Sequence, residues 1–252
     1  MNKKIDNEGD KMIGTGEELA QYIEYTNLDN TATADMMIAF FEKAKEYKFH
    51  SVVVHPYYVK LAKETLEDTG IKIVSVADFP LGAGNTEGKV AEVKQAIADG
   101  ADEIDVMAKI SAIKNHDYHD MRDDIKAVKE AVGDTVIKVI IECPVLSMDE
   151  IAAAAAMCEE AGVDYVKTAS GFNGSQDFYS LMESLRIIKK NAPHCKRKAA
   201  GGINNYKLTT NIIAAGVDKI GSSNPIPIID ELNHVAENQK VAPGTKKGPR
   251  LI

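Results

Sequence analysis

The sequence predicts one α/β domain folded as a (β/α)8 barrel, the TIM-barrel architecture. The chain has 252 residues, and one such barrel typically needs about 250. Short β-branched runs alternate with amphipathic stretches of helical length from about Tyr22 to Leu232. This order implies parallel strands joined by right-handed crossovers. Eight such units in this length favour a closed barrel over a doubly wound sheet.

Each predicted element rests on a local pattern. The strands are predicted at Ile23–Thr26, Ser51–Val54, Lys72–Val76, Glu103–Val106, Val136–Ile141, Tyr165–Lys167, Lys196–Ala199 and Lys219–Gly221. The helices are predicted at Ala34–Tyr47, Tyr57–Leu66, Thr86–Asp99, Asp117–Ala131, Met148–Ala161, Asp177–Asn191 and Tyr206–Ala215. The first strand is weakly marked and the seventh is polar. Ser147 and Glu150 have the spacing of a capping box at the start of the fifth helix.

The two ends of the chain are expected to be mobile tails around a barrel at residues 16–237. Residues 1–15 are polar and contain glycine, and residues 238–252 are rich in Lys, Gly and Pro. Segments of this composition seldom bury enough apolar surface to fold. The basic C-terminal tail could instead be a contact element. No linker divides the chain into two domains.

Composition limits the partners and the compartment. The formal net charge of −8 argues against a nucleic-acid or anionic-membrane partner, because both favour a basic face. The sequence has no apolar run of about 18 residues and no apolar signal at its polar N-terminus. The cysteines Cys143, Cys158 and Cys195 lack Cys-x-x-Cys spacing, which fits a reducing compartment. A cytoplasmic protein is expected.

One phrase occurs three times and indicates a site. The segments Gly100–Asp105, Gly162–Lys167 and Gly216–Gly221 each begin with glycine, have Asp in third place and then enter a strand. Because side chains alternate along a strand, the final residues of the three phrases share one direction. The apolar side should face the helices, so these final residues should face the barrel. A carboxylate, an amine and a bare backbone position are therefore predicted at one depth.

Lys167 and Asp105 are the candidate catalytic pair, with Lys198 of the seventh strand beside them. A purely structural salt bridge is the alternative, although burying such a pair rarely gains stability over apolar packing. If Lys198 points inward, its charge and partial desolvation both lower the pKa of Lys167. If the pKa of Lys167 were ~7 instead of ~10.4, the neutral, nucleophilic fraction of this amine would be roughly a thousandfold larger. Lys138 and Glu142 share the inward parity, so a proton-relay cluster is favoured over salt bridges.

The loops after the seventh and eighth strands form a candidate phosphate site. One loop contains Gly201 and Gly202, and the other contains Gly221, Ser222 and Ser223. Glycines let backbone N–H groups approach an anion, serines add hydroxyl donors, and barrels often bind phosphate here. A plain turn would also explain Gly-Gly, but the Ser-rich loop at the next strand favours phosphate.

No metal or cofactor is predicted. His116 and His119 have helical i, i+3 spacing but stand among polar residues at a helix start, so a solvated face is favoured over a metal site. The segment Gly82–Asn85 lacks the G-x-G-x-x-G frame, so no dinucleotide is assigned.

Five motifs follow one another along roughly residues 20–225. They are Phe79–Gly82, Gly100–Asp105, Lys138–Glu142, Val166–Gly171 and Lys198–Ile203. In this order they resemble the class I (Schiff-base) deoxyribose-phosphate aldolase family. The resemblance implies a reversible aldol reaction that joins acetaldehyde and D-glyceraldehyde 3-phosphate into 2-deoxy-D-ribose 5-phosphate. The expected partner is thus a small phosphorylated sugar, and analogy with such barrels suggests a homodimer.

The resemblance also implies a role for each site residue. By position, Lys167 is the Schiff-base lysine, Asp105 is the acid/base that works with a water, and Lys198 lowers the pKa of the nucleophile. The supporting residues are Glu24, Lys138 and Thr168. Glu24 departs from the family pattern, as do Lys109, Ala169 and Asn224. The catalytic trio is intact, so these departures bear on rate and aldehyde preference more than on reaction type.

Three other functions remain open at this point. A related Schiff-base aldolase would act on another phosphorylated sugar or ketose. A catalytically silent homologue would bind a phosphosugar, although it would be expected to lose Lys167 or Asp105 first. A metal-dependent barrel enzyme would lose its activity to a chelator.

Overall fold

The structure, a computed structural model, describes residues 13–241. In this range eight parallel strands form a closed barrel in which neighbours in sequence pair and the last strand pairs with the first. The strands are β1 (Ile23–Asn27), β2 (Ser51–Val54), β3 (Lys72–Ala77), β4 (Glu103–Met107), β5 (Val136–Ile140), β6 (Tyr165–Lys167), β7 (Lys196–Ala199) and β8 (Lys219–Ser222). The predicted TIM barrel is confirmed, and each strand boundary lies within about one residue of its prediction.

Helices cover the outside of the barrel. The described residues form α1 (Gly16–Ala20), α2 (Ala34–Tyr47), α3 (Val59–Thr65), α4 (Thr86–Ala98), α5 (Ile110–Lys114), α6 (Tyr118–Val132), α7 (Met148–Ala161), α8 (Phe178–Asn191), α9 (Tyr206–Ala214) and α10 (Ile226–Val241). Two single 3-10 turns lie at Pro56–Tyr58 and Cys143–Val145. All the predicted helices are present, and α1, α5 and α10 are additional.

Helix α10 changes the expected boundary of the C-terminal tail. Pro225 and Pro227 at its start are typical of loops. Proline is nevertheless tolerated in the first turn of a helix, because the backbone N–H that it lacks would have no partner within the helix there. The helix continues to Val241, so residues 238–241 are helical. Of the expected N-terminal tail, residues 13–15 lead into α1, which Thr15 caps. Residues 1–12 and 242–252 lie outside the described residues.

Side-chain caps determine where several barrel helices begin. The Ser147 side chain accepts from the Glu150 N–H and the Glu150 carboxylate accepts from the Ser147 N–H, so the predicted capping box is formed. Thr33 and Asp177 cap α2 and α8 in a similar way. Such caps satisfy backbone N–H groups that have no partner within the helix.

The strands separate an outer apolar layer from an inner layer of mixed character. Ile104, Val166 and Ile220 are buried in the main hydrophobic core, as the alternation of side chains predicts. On the opposite strand faces, Val53 and Val74 belong to a separate small apolar cluster. The barrel interior is therefore apolar on the β2–β3 side, and buried charged side chains from β1 and from β4–β7 occupy the other side.

Candidate active site

Two charged side chains meet inside the barrel, one from β4 and one from β6. The Lys167 Nζ donates to Asp105 Oδ2 at 2.7 Å. Both residues are buried, with 3% and 0% of their surface exposed. The backbone register pairs Asp105 with Lys138 and Lys167 with Ile140. The structure thus brings together the two residues that the repeated phrase predicts to face the barrel.

Lys198 reaches the same point from β7. Its backbone pairs with that of Lys167, and its Nζ donates to Asp105 Oδ2 at 2.5 Å. The same amine donates to Glu24 of β1. Gly221 lies beside this side chain: a Cβ at Gly221 would be 3.4 Å from Lys198 Cε and 3.2 Å from Ala200 Cβ. One oxygen of Asp105 is therefore shared by two amines.

Lys138 joins these groups from β5. Its Nζ lies 2.6 Å from Glu103 Oε2, 3.3 Å from Asp105 Oδ1 and 3.4 Å from Glu24 Oε1. Lys138 and Glu24 are completely buried, and Glu103 is 4% exposed. Glu103 is not among the predicted site residues, although it stands two residues before Asp105 and so has the same inward parity.

These six side chains form what we call the charged cluster. Its members are Glu24, Glu103, Asp105, Lys138, Lys167 and Lys198. Three carboxylates face three lysines, so the cluster is neutral when all six groups are ionised. Because an unpaired buried charge is costly in free energy, removal of one member leaves the charge of its partner unpaired and destabilises the fold.

Lys167 is the lysine of the cluster that is suited to be a nucleophile. Burial lowers the pKa of Lys167 from 10.5 to about 8; Asp105 opposes this shift and Lys198 adds to it. Desolvation is thus the larger cause and the neighbouring cation the smaller one. For Lys138, burial also lowers the pKa, but Glu24, Asp105 and Glu103 outweigh it and raise the pKa above the ordinary lysine value. Only a neutral amine can attack a carbonyl.

Asp105 stays ionised next to these amines. Burial favours the neutral acid, but Lys167, Lys198 and Lys138 outweigh burial and hold the pKa of Asp105 below its usual range. When Lys167 loses its proton, one of the three cations disappears and Asp105 becomes more basic. The two groups therefore titrate as a coupled pair, in which loss of a proton from one favours protonation of the other.

Glu142 and Thr168 contact neighbouring loops instead of the charged cluster. Glu142 lies just after β5 with a φ of 61°, so the strand alternation that predicts its inward parity has already ended. Its carboxylate accepts from Ser170 N at 2.9 Å and from Asn173 Nδ2 at 3.1 Å. The Thr168 hydroxyl donates to Ala200 O and accepts from Ala200 N, each at 3.0 Å. These residues link the loops after β5, β6 and β7.

The predicted phosphate residues line a cavity beside Lys167. The cavity has a volume of about 720 Å³, and its wall includes Lys167, Gly201, Gly202, Gly221, Ser222 and Ser223. Gly201 and Gly202 have φ values of 93° and 75°, a left-handed region that glycine adopts without steric cost. A Cβ at Gly202 would lie 2.9 Å from Ser175 Cβ. The loop after β7 thus has a backbone that other residues would distort.

The two serines of the loop after β8 differ in their contacts. Ser222 is buried, donates from Oγ to Ile203 O at 3.3 Å and accepts from Asn224 N at 3.3 Å. Its hydroxyl therefore stabilises the loop. Ser223 is exposed and lines the same cavity, so it is the serine better placed to donate to a bound anion.

One aromatic ring lies beside Lys167, and a second ring packs against the first. The Lys167 Nζ lies 6.0 Å from the centroid of the Phe79 ring, and the Phe79 and Phe172 rings meet edge to face at 5.3 Å. Phe79 also packs against the apolar cluster of β2 and β3. Phe79 is thus part of the apolar surroundings of the buried Lys167 amine. Phe172 lacks a sequence signal of its own.

The histidines that the sequence presents at helical spacing do not converge. The His116 Nδ1 lies 2.9 Å from the Tyr118 hydroxyl, and His119 is exposed. Within residues 13–241, no group of three or more His, Cys, Asp and Glu side chains is arranged to bind a metal ion. In the same range no helix is both long and apolar enough to cross a membrane.

Comparison with known proteins agrees with this geometry. A family model described as DeoC/LacD family aldolase matches residues 19–223. A deoxyribose-phosphate aldolase of Aciduliprofundum boonei is 44% identical over 217 residues, which cover 85% of this chain and 97% of the relative. One of Thermococcus kodakarensis is 40% identical over 218 residues, covering 84% and 96%. The tetrameric deoxyribose phosphate aldolase of Aeropyrum pernix superposes with a TM-score of 0.78 at 28% identity, covering 88% of this chain and 94% of that structure.

Proposed function

The chain belongs to the DeoC/LacD family of aldolases, and we propose that it cleaves 2-deoxy-D-ribose 5-phosphate reversibly to acetaldehyde and D-glyceraldehyde 3-phosphate. As an aldolase it is an enzyme that breaks and forms a carbon–carbon bond. The relatives named for this substrate support the proposal. The observation that carries the proposal is the buried Lys167 amine. It is hydrogen-bonded to Asp105 and lies beside a cavity with glycine-rich walls.

The reaction begins with attack of the neutral Lys167 amine on C1 of the open-chain sugar. Asp105, which becomes protonated when Lys167 gives up its proton, returns that proton through a water to the departing carbinolamine hydroxyl. Loss of water then gives an iminium, which carries the positive charge. Asp105, through a water, takes the proton of the C3 hydroxyl as the C2–C3 bond breaks. The bonding electron pair forms the enamine, and C3 becomes the aldehyde carbon of glyceraldehyde 3-phosphate. Protonation of the enamine at C2 and hydrolysis release acetaldehyde and the free amine.

The charge balance of the cluster favours the covalent intermediate. Deprotonation of Lys167 leaves three carboxylates opposite two lysines, whereas the iminium restores three positive charges. A site preorganised for a cation at this nitrogen stabilises the iminium without reorganisation. Lys198 makes the protonated form of Lys167 less favourable, because the Lys198 amine donates to the same Asp105 oxygen.

The cavity beside Lys167 is suited to the phosphate end of the substrate. Backbone N–H groups around Gly201, Gly202 and Gly221, with the exposed Ser223 hydroxyl, offer neutral donors to an anion. The exposure of this loop leaves the phosphate partly solvated, while C1 is directed toward the buried amine. We propose a cytoplasmic enzyme that needs no cofactor and acts as a homodimer, an assembly that sedimentation velocity would test.

The direct test is incubation with 2-deoxy-D-ribose 5-phosphate and measurement of acetaldehyde. Wild type should release acetaldehyde, and EDTA should not inhibit it. Lys167→Ala should cleave the sugar at least about a thousand times more slowly. A related aldolase for another phosphorylated sugar would leave this substrate uncleaved. A silent phosphosugar-binding homologue would bind the sugar without turnover, and a metal-dependent enzyme would lose its activity to EDTA.

A further inference from the structure

We propose that Glu103 is a positioning residue for the reaction: it binds Lys138 and thereby keeps Asp105 available to Lys167. This inference rests on the proposed function, because it concerns the same nucleophile. It assigns a role to a buried carboxylate on the side of the charged cluster away from Lys167, toward the start of β4.

The contacts of Asp105 show a competition among lysines. Lys167 and Lys198 approach Asp105 Oδ2 at 2.7 and 2.5 Å. Lys138 is more distant, at 3.3 Å from Oδ1, and its shortest contact is the 2.6 Å bond to Glu103. Without a charge at Glu103, Lys138 would be drawn to the remaining carboxylates. Asp105 would then be bound more closely by a third amine and be less free to serve Lys167.

Glu103 is itself linked to the surface of the protein. Lys72 Nζ lies 3.0 Å from Glu103 Oε1, and the two side chains are 48% and 5% exposed. Burial raises the pKa of Glu103, but Lys138 and Lys72 outweigh burial and lower it to about 2. Glu103 therefore remains an anion at every pH at which the enzyme would work. It is a constant partner for Lys138 and not a titrating switch.

Charged and titratable groups from several elements face these residues. Lys167 is influenced by Asp105, Lys198 and Glu24, and Glu103 by Lys138 and Lys72. Glu103 in turn acts on His50, Tyr165 and Lys219. Burial lowers the pKa of Lys219 to about 8, in the same range as Lys167, so a test of this inference must measure Lys167 alone. Reductive trapping at Lys167 meets this requirement.

Replacement of Glu103 by glutamine should lower both the pH midpoint for trapping on Lys167 and kcat. The buried cluster loses a negative charge, and Lys138 moves toward Asp105; both changes disfavour the protonated form of Lys167. The midpoint for trapping of acetaldehyde on Lys167 should therefore move to lower pH by ~1 unit. At the same time kcat for cleavage should fall about tenfold with KM unchanged, because Asp105 is less available while the phosphate loops are untouched.

The experiment compares trapping and steady-state kinetics for wild type, Glu103→Gln, Glu103→Asp and a matched control, Glu150→Gln. Glu150 is also a buried carboxylate paired with a half-exposed lysine: its contact with Lys114 is 2.8 Å, with side chains 8% and 48% exposed. It lies on α7, outside the barrel. The control should keep the wild-type midpoint and kcat. Glu103→Asp retains the charge and should keep the midpoint, with a reduced kcat.

A wild-type midpoint and kcat in Glu103→Gln, or a midpoint moved to higher pH, would overturn the inference and leave the proposed function intact. Failure of wild type itself to be trapped would instead remove the proposed function. If Glu103→Gln does not fold, Glu103→Asp decides the question: its carboxylate is shorter by one methylene and should bind Lys138 less closely, so a wild-type kcat in that variant would contradict the role.

Discussion

At the scale of single residues, the proposed chemistry depends on one oxygen atom. Asp105 Oδ2 accepts from Lys167 and from Lys198, so the two amines compete for the same negative charge. Lys198 also donates to Glu24. The pKa of Lys167 is lowered to about 8, and burial supplies most of this shift.

Removal of the second cation tests this division of roles. In Lys198→Leu the only lysine donating to Asp105 Oδ2 among the described residues would be Lys167, whose pKa should rise toward its ordinary value. The acid limb of kcat/KM should therefore move up by ~1 pH unit, a roughly tenfold loss at pH 7. The measurement is the pH profile of 2-deoxyribose 5-phosphate cleavage.

The same variant leaves Glu24 buried with one partner fewer, so a stability control is needed. The double variant Glu24→Gln with Lys198→Leu removes one charge of each sign, and should unfold at a higher urea concentration than Lys198→Leu alone. A Lys198→Leu profile that coincides with wild type would show that the cation does not influence Lys167.

At the scale of elements, strand alternation alone predicts much of the site. It places Asp105, Lys167 and Lys198 inside the barrel because all three lie within strands. It fails at Glu142, since that residue follows the end of β5 in a left-handed conformation. It also gives no indication that Lys138 pairs more closely with Glu103 than with Asp105. That preference depends on distances across the barrel, which no local pattern contains.

The loop after β7 offers a test of the phosphate assignment. In Gly202→Ala the new Cβ would lie 2.9 Å from Ser175 Cβ at a φ of 75°, so the loop must move. KM for 2-deoxyribose 5-phosphate should rise severalfold, while trapping of acetaldehyde on Lys167 should be unchanged because acetaldehyde has no phosphate.

Gly133→Ala is the matched control for this variant. Gly133 also has a positive φ, of 60°, but no atom lies within 4 Å of the Cβ position, and the residue follows α6 away from the cavity. The control carries the conformational cost of an alanine at positive φ without a clash. An equal change in KM in both variants, or none in Gly202→Ala, would contradict the phosphate assignment.

At the scale of the whole molecule, the barrel stabilises a buried set of charges that would be costly in isolation. The apolar cluster of β2 and β3 fills one side of the interior, and the charged cluster occupies the other. Such paired charges seldom add stability relative to an apolar core. The distribution instead favours a catalytic use of the interior, in agreement with membership of an aldolase family.

This arrangement predicts a steep loss of stability in acid. Asp105 and Glu103 have pKa values lowered by their lysine partners, to about 2 for Glu103. A carboxylate with a lowered folded-state pKa contributes stability above its ordinary pKa and loses it as pH falls through the folded value. The free energy of unfolding should therefore fall between about pH 4.5 and pH 2, by up to ~3 kcal/mol from Glu103 alone.

Urea unfolding at pH 7, 4.5 and 3 measures this dependence. Glu103→Gln should be less stable than wild type at pH 7 and should lose less stability on acidification, because it lacks one of the two titrating carboxylates. Parallel losses in the two proteins would show that Glu103 is not held ionised by its partners.

The central claim is that the Lys167 amine is uncharged often enough near neutral pH to attack an aldehyde. The most direct measurement is the pH dependence of borohydride trapping with acetaldehyde, localised on the Lys167 peptide by mass. We expect a two-carbon adduct on Lys167 with a midpoint near the pKa of about 8 that burial gives this amine, and no such adduct in Lys167→Ala. A midpoint near the ordinary lysine value of 10.5, or a comparable adduct on Lys138 or Lys198, would contradict it.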